Sequence, residues 1–353
     1  MPLHLYALHT RAQQAFFGTV LFQAIVVIVM VAIVFGRVED AVPLTDSRYK
    51  TIPCYLALFI LAELFELFMA YDALRLRNVI QLVGLLLFHA ALIVMAALQV
   101  HETHTALVSN PGANWTTDYA HGDGAGTLWQ RVLPFLIVSP VVIGVSWVVL
   151  IWFVRELYYE FGWAIFHIVG ANPAAKTMYQ FYQVMICLLK FDFFAFVGVT
   201  MQLLIVVLAK DTAEFGLTVA AIPIVLVLLS GAGFAVQREI KWLMSISLIL
   251  MLAAESYCIY KLVRFYEPSS EAQYETVRAT LTTFTIIAFL LLFGTFAIGL
   301  RCFADFDKGL LRSKLHETTG PRGYSSTSGT AGAKKEDGGY GSGAPLGQRV
   351  SIE

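Results

Sequence analysis

Eight stretches of this chain are long and apolar enough to cross a lipid bilayer as helices, and no other feature restricts the fold so severely. A hydrocarbon core of about 30 Å needs roughly 20 apolar residues in α-helix. The runs are Ala15–Gly36, Thr51–Tyr71, Asn78–Val100, Val132–Val154, Tyr182–Leu208, Gly216–Gln237, Ile240–Leu262 and Val277–Leu300. They are continuous rather than alternating, which selects helices over a barrel. The expected fold is an all-α polytopic transmembrane bundle of about eight spans. A seven-span receptor-like bundle is the alternative if one run does not cross. Composition agrees: 14% of residues are charged, against about a quarter in soluble domains. With 58% hydrophobic residues, no single core could hide the apolar surface, so the lipid bilayer is the expected partner. A net charge of −1 gives no field favouring nucleic acid.

The bundle is expected over residues 1–304 and a cytosolic tail over 305–353. From Thr318 onward Gly, Ser, Thr, Lys and Glu dominate, and too few apolar residues remain to offset ordering entropy. The first run exceeds a signal-peptide core of about 7–15 residues and should persist as a span. The longest loop, residues 101–131, holds a single Lys or Arg and the sequon Asn114-Trp115-Thr116, which points to a glycosylated, lumenal loop. Lys308, Arg312 and Lys314 follow the last run, and positive flanks favour the cytosol. Eight spans then leave both termini cytosolic. The two four-helix halves do not place their charges at matching positions, which speaks against an inverted-repeat transporter.

Residues 155–176 read RELYYEFGWAIFHIVGANPAAK, with aromatics among charges and a break at Gly170-Ala171-Asn172-Pro173. This cytosolic-face segment is either the fourth helix running past the bilayer or a separate amphipathic helix. Tyr158, Tyr159, Phe161 and Trp163 suit the headgroup level.

Charges inside the runs carry the functional signal. Glu63 and Glu66 sit mid-run in LAELFELF, on one helix face by their i, i+3 spacing. A central acid costs on the order of 2.5–3.5 kcal/mol on insertion, while each Leu, Ile or Phe returns roughly 0.3–0.6. Ten such residues in this run roughly cancel its two acids, so the acidic face should turn toward other helices. There it either packs, protonated or paired, or binds a cation, proton or polar substrate. Lys190 and Asp192, at i, i+2, point to nearly opposite faces and cannot pair with each other. They are either interfacial or buried; if buried, Lys190 is expected against Glu66 or Glu63. Tyr179, Gln183, Cys187 and Lys190 form a polar stripe facing protein. Glu255, with Ser247 two turns before it, is a further intramembrane acid, and His89 reads as an interhelical hydrogen-bond partner. Thr280, Thr282, Thr283 and Thr285 should bond back to their own helix or bind a neighbour.

The four cysteines, Cys54, Cys187, Cys258 and Cys302, form neither a disulfide framework nor a metal-ligand spacing and read as apolar packing residues. Cys302, just past the last run, is a lipidation candidate. His101, Glu102, His104, Asp118, His121 and Asp123 follow no recognised metal pattern, so no metal site and no cofactor are expected. No nucleophile elbow, phosphate-binding glycine loop or metalloprotease helix is present.

One stretch carries a family resemblance. It runs through Trp152, Arg155-Glu156, Tyr159-Glu160-Phe161-Gly162-Trp163, Gly170-Ala171, Met178-Tyr179, Tyr182-Gln183, Leu189-Lys190-Phe191-Asp192-Phe193-Phe194 and Gln202. That order of aromatic and charged residues resembles an uncharacterised family of fungal multi-pass Golgi apparatus membrane proteins. The resemblance implies residence in the Golgi or an allied endomembrane compartment and implies no activity. The expected function is a non-enzymatic endomembrane protein that carries or senses a small polar solute or ion through its buried charges. The alternative is a scaffold or trafficking factor in which those charges serve helix packing only.

Overall fold

A run of seven buried positions on the first helix shows how this chain packs. Phe16, Val20, Gln23, Val27, Val31, Val34 and Val38 recur every three or four residues and are all at most 3% exposed. That spacing lines one seam of a helix. The opposite face carries Phe22 and Ile25, exposed at 65% and 56%. Large apolar side chains on the outer face of an apolar helix are what a hydrocarbon solvent requires.

The structure is a computed structural model that describes residues 10–42, 49, 51–108, 119–120, 122–169, 173–207, 213–267 and 278–306. The helices are α1 (Arg11–Glu39), α2 (Thr51–Leu76), α3 (Val79–Val108), α4 (Leu128–Val169), α5 (Pro173–Gln202), α6 (Ala213–Arg238), α7 (Lys241–Phe265) and α8 (Arg278–Ala304). A π-helical turn, Leu203–Val207, extends α5. The described residues contain no strand. Each apolar run is a helix, and seven of the eight helices are long and apolar enough to cross a membrane. In α6 the described apolar part, Ile222–Arg238, is shorter. The helices lie in a unit spanning Met1–Thr318; a second unit, Thr319–Glu353, lies outside the described residues, as does the expected tail from residue 307.

The helices pack as two linked groups. In the first, α1 lies against α4 and α2, and α3 lies against α4 and α2. In the second, α5 lies against α8 and α6, and α7 against α8 and α6. Helix α5 joins the groups by also packing on α2 and α3. At that joint four rings interlock. Phe194 stacks on Phe65 at 4.9 Å between centroids and meets Phe88 edge-on at 4.8 Å, while Phe191 meets Phe65 edge-on at 5.6 Å. Gly84 admits this close approach of α3 and α5. A Cβ there would lie 3.0 Å from the Phe191 ring and 3.1 Å from Cys187 Sγ. Because Phe191 is held by its ring neighbours, Gly84→Val should destabilise the protein by about 1–3 kcal/mol through overpacking. Thermal unfolding in detergent measures this.

The two tightest corners end in the same device. At α2–α3, Arg77 adopts φ 49° and the Asn78 N–H donates to Ala73 O at 3.0 Å. At α6–α7, Glu239 adopts φ 56° and the Ile240 N–H donates to Ala235 O at 2.9 Å. Both follow the left-handed C-terminal cap that closes a helix by a bond from two residues past its end back to the last turn. Neither position is the usual glycine; hydropathy placed the α6–α7 corner within one residue and ended α2 five residues early, at Tyr71.

Helix α4 decides between the two readings of residues 155–176. It runs unbroken for 42 residues, about 63 Å at 1.5 Å per residue, twice the bilayer core. The segment is therefore the fourth helix continued to Val169; residues 170–172 lie outside the described residues, and α5 starts on Pro173. Proline suits a first helical position because its missing N–H has no partner there anyway. The extension is tied to the start of α1: Gln13 Nε2 donates to Glu160 Oε1 at 2.7 Å and the Thr10 hydroxyl to Glu160 Oε2 at 3.2 Å. Tyr158 and Tyr159 are exposed, as a headgroup role requires, but Phe161 is wholly buried in the core with Phe16. Phe161 thus departs from the interfacial assignment because it lies on the α1-facing side of α4; the Trp163 side chain lies outside the described residues. The connection taken as 101–131 is shorter than expected, since α3 continues to Val108 and α4 begins at Leu128.

Candidate functional site: three polar clusters in the bundle

The residues grouped by sequence as one polar interior separate into three clusters. The first lies among α1–α4. Glu63 stands at the middle of α2, and Glu63 and Glu66 are both 0% exposed. Gln23 of α1 brings its amide nitrogen to Glu63 Oε2 and Glu66 Oε2, each at 3.2 Å. His89 of α3 sets Nδ1 2.5 Å from Glu66 Oε1 and Nε2 2.9 Å from the Ile143 carbonyl of α4. A carbonyl only accepts, so Nε2 carries a hydrogen. The Nδ1–Oε1 bond is then either a neutral imidazole accepting from a protonated Glu66 or an imidazolium donating to a carboxylate. The two forms hold the same number of protons and differ only in where one sits along a 2.5 Å bond. His89 is a satisfied interhelical partner, with both ring nitrogens engaged. Gln23 Oε1 is the one cluster atom left without a partner.

The second cluster corrects an expectation. Lys190 does not reach Glu66 or Glu63. Its Nζ makes an ion pair with Asp72 of α2 and donates to Gln81 Oε1 of α3 at 2.9 Å. Gln81 Nε2 in turn donates to Asp72 Oδ2 and to Met69 O, both at 3.1 Å. Asp72 lies six residues, about 9 Å of helix, nearer the α2–α3 corner than Glu66. A long lysine side chain gains most by carrying its charge toward that end, where hydration costs less to keep. Both charged groups retain some exposure, 18% for Lys190 and 19% for Asp72. The polar stripe on α5 does face protein, with Tyr179, Gln183 and Cys187 all buried. Beside it, a crevice of about 490 Å³ between α2, α5 and α6 is lined by Leu64, Phe68 and Leu226, and by Lys190.

Asp192 forms the third cluster, on the opposite side of α5 from Lys190, as their spacing requires. The Thr295 hydroxyl of α8 donates to Asp192 Oδ2 at 2.5 Å. Asp192 Oδ1 has no hydrogen-bond partner, and neither has Glu255 Oε1 of α7. These side chains are only 5% and 8% exposed, and each is near enough for its charge to act on the other and on Cys258. A cavity of about 360 Å³ lies against Asp192 between α5, α6, α7 and α8. Among the described residues no group of three His, Cys, Asp or Glu could hold a metal.

Other expected sites stand apart. Asn114, Asp118 and His121 lie outside the described residues. Cys302 is 5% exposed and packed with Phe306, so acylation there needs the thiol to turn outward. Ser247 and Thr285 bond back to their own helices, on Leu243 O at 2.9 Å and Leu281 O at 2.8 Å. Sequence reasoning passed over Gln23, Asp72, Gln81 and Thr295. The signal for Gln23 was present, as a lone amide on the valine seam of α1. Asp72 lay one residue past its run, Thr51–Tyr71, and so did not look intramembrane.

Lipid-type outer faces, crossing-length apolar helices and inward-turned acids define a multi-pass α-helical membrane protein. Over 308 residues, covering 84% of this chain and 87% of the relative, the chain is 28% identical to a UPF0658 Golgi apparatus membrane protein of Schizosaccharomyces pombe. The resemblance first carried by residues 152–202 thus extends along most of the sequence. No protein-family model and no solved structure matches the chain.

Proposed function

We propose that this chain works in the Golgi or an allied endomembrane as a non-enzymatic protein that carries or senses a small polar solute or ion. The contact is made at Asp192 and Glu255 rather than at Glu63 and Glu66. One observation supports this division. Both acids of the α5–α8 group keep a buried oxygen without a partner, and Asp192 lines a cavity, whereas Glu63 and Glu66 are each hydrogen-bonded in a site with no exposure. A buried acceptor left bare costs about 1–3 kcal/mol, and a ligand that supplies the donor removes that cost. The Glu63–Glu66–His89 cluster then serves packing, which is the scaffold reading confined to one half of the bundle.

The test compares two double variants of the purified full chain in a screen of solutes for thermal stabilisation. Asp192→Asn with Glu255→Gln should remove the response while Glu63→Gln with Glu66→Gln lowers stability and keeps it. Loss of the response only in the second pair would move the site to α2, and no response from any solute would favour the scaffold or trafficking role. We read both termini as cytosolic with all eight helices crossing, supported by the low positive charge of the Asn114 loop and the basic flank after Arg301. Glycosidase sensitivity at Asn114, with protease access to the tail in sealed Golgi vesicles, tests that orientation.

A further inference from the structure

We infer that the cavity between α5, α6, α7 and α8 holds an apolar molecule with a protonated amine head, a long-chain amine of the bilayer. This inference rests on the reading of Asp192 and Glu255 as ligand contacts, and it names the ligand's chemistry. The cavity, at about 360 Å³, falls in the usual range of small-molecule sites, roughly 300–1,000 Å³. Its walls are mostly apolar, with Phe196, Leu228, Met251 and Leu292 from the four helices in turn. Such walls favour a hydrocarbon body over a hydrated solute.

The polar end is set by the two acids. Thr295 fixes one Asp192 oxygen, and the other is buried, aimed at no protein donor, on a residue that lines the cavity. Glu255 keeps a second bare buried oxygen on α7, beside the lining residue Ala254 and not itself in the cavity wall. Neither acid has an ion-pair partner among the described residues. An ammonium presents three N–H donors and a positive charge, so it can satisfy the bare Asp192 oxygen and offset the charge buried there. A hydroxyl head brings one donor and no charge. A hard divalent cation needs six or more oxygen ligands or retained waters, and these walls do not supply them. Entry is available from the lipid side, because Tyr257 at the rim is 47% exposed on α7. Lys261, which also lines the cavity, holds its own charge 5.6 Å over the Tyr257 ring.

The experiment measures thermal unfolding of the full chain in a non-ionic detergent with dodecylamine, dodecanol, ethylamine or potassium chloride. Dodecylamine should raise the midpoint saturably, by about 5–10 °C at a hundredfold excess over its Kd. Dodecanol should do little, which controls for chain partitioning into micelles. Asp192→Asn should abolish the shift. Ala288→Phe, which fills the cavity from α8 without touching a charge, should abolish it too and guards against a folding defect in the first variant. An equal shift with dodecanol would overturn the ammonium assignment. A shift with ethylamine or potassium but not dodecylamine, unaffected by Ala288→Phe, would overturn the amphiphile and leave the polar-solute reading standing. No shift with any of the four would sink both.

Discussion

Replacing His89 with leucine should cost this protein on the order of 3–5 kcal/mol, the usual penalty for removing one partner of a buried charged pair. The variant strips Glu66 of its 2.5 Å partner and removes the side-chain donor to the Ile143 carbonyl, both at zero exposure. A smaller figure has to be weighed against this. Interhelical hydrogen bonds in membranes average about 0.6 kcal/mol, because the unpacked helices find other partners. His89 exceeds that average because one ring links three helices, and because two acids remain behind it with only the Gln23 amide to share. The expected drop in unfolding midpoint is roughly 10 °C, at about 2–4 °C per kcal/mol for a domain of comparable size. A thiol-reactive dye can read it, since the Cys54 and Cys187 thiols are buried. Adding Glu66→Leu to His89→Leu should recover part of the loss, as replacing both partners of a buried pair by apolar groups is often neutral. A double variant that loses the full sum of the two single losses would show that the pair is not coupled.

Reversing Lys190 to glutamate should be more damaging to assembly than removing it. Lys190→Glu sets a second acid against Asp72 where α5 meets α2 and α3. Lys190→Met merely leaves Asp72 with the Gln81 amide. The wild-type pair lies between an exposed ion pair, about 0–1 kcal/mol, and a fully buried one, about 3–5 kcal/mol for a missing partner. Its partial exposure argues for about 1–3 kcal/mol for Lys190→Met and more for the reversal. Restoring opposite charges with Asp72→Lys in the Lys190→Glu background should return much of the folded yield in fluorescence-detected size exclusion. Failure of the swap, with Glu63→Gln or Glu66→Gln rescuing Lys190→Glu instead, would put the lysine back against the deeper acids.

The two clusters also explain how far hydropathy and spacing could see. The i, i+3 spacing of Glu63 and Glu66 fixed a common face, and their cost in lipid fixed that it turns inward. The i, i+2 spacing of Lys190 and Asp192 fixed that they part, and they do, toward α2 and α3 on one side and α8 on the other. Neither pattern could name a partner. Gln23 and Thr295 are single polar side chains among apolar neighbours, and what they meet depends on which helices touch. Phe161 failed for the same reason: its ring type suits the headgroup level, but the contact with α1 claims it.

By itself, then, the sequence determined the medium, the helices and which faces must avoid lipid. Those follow from local quantities, the transfer energy of each residue and the 3.6-residue turn. Only the tertiary structure decided that Lys190 answers Asp72, that His89 ties Glu66 to α4, and that Asp192 is left beside a cavity with an oxygen unused. Those depend on the neighbour that packing brings across from another helix, and a helix's own periodicity carries no record of it.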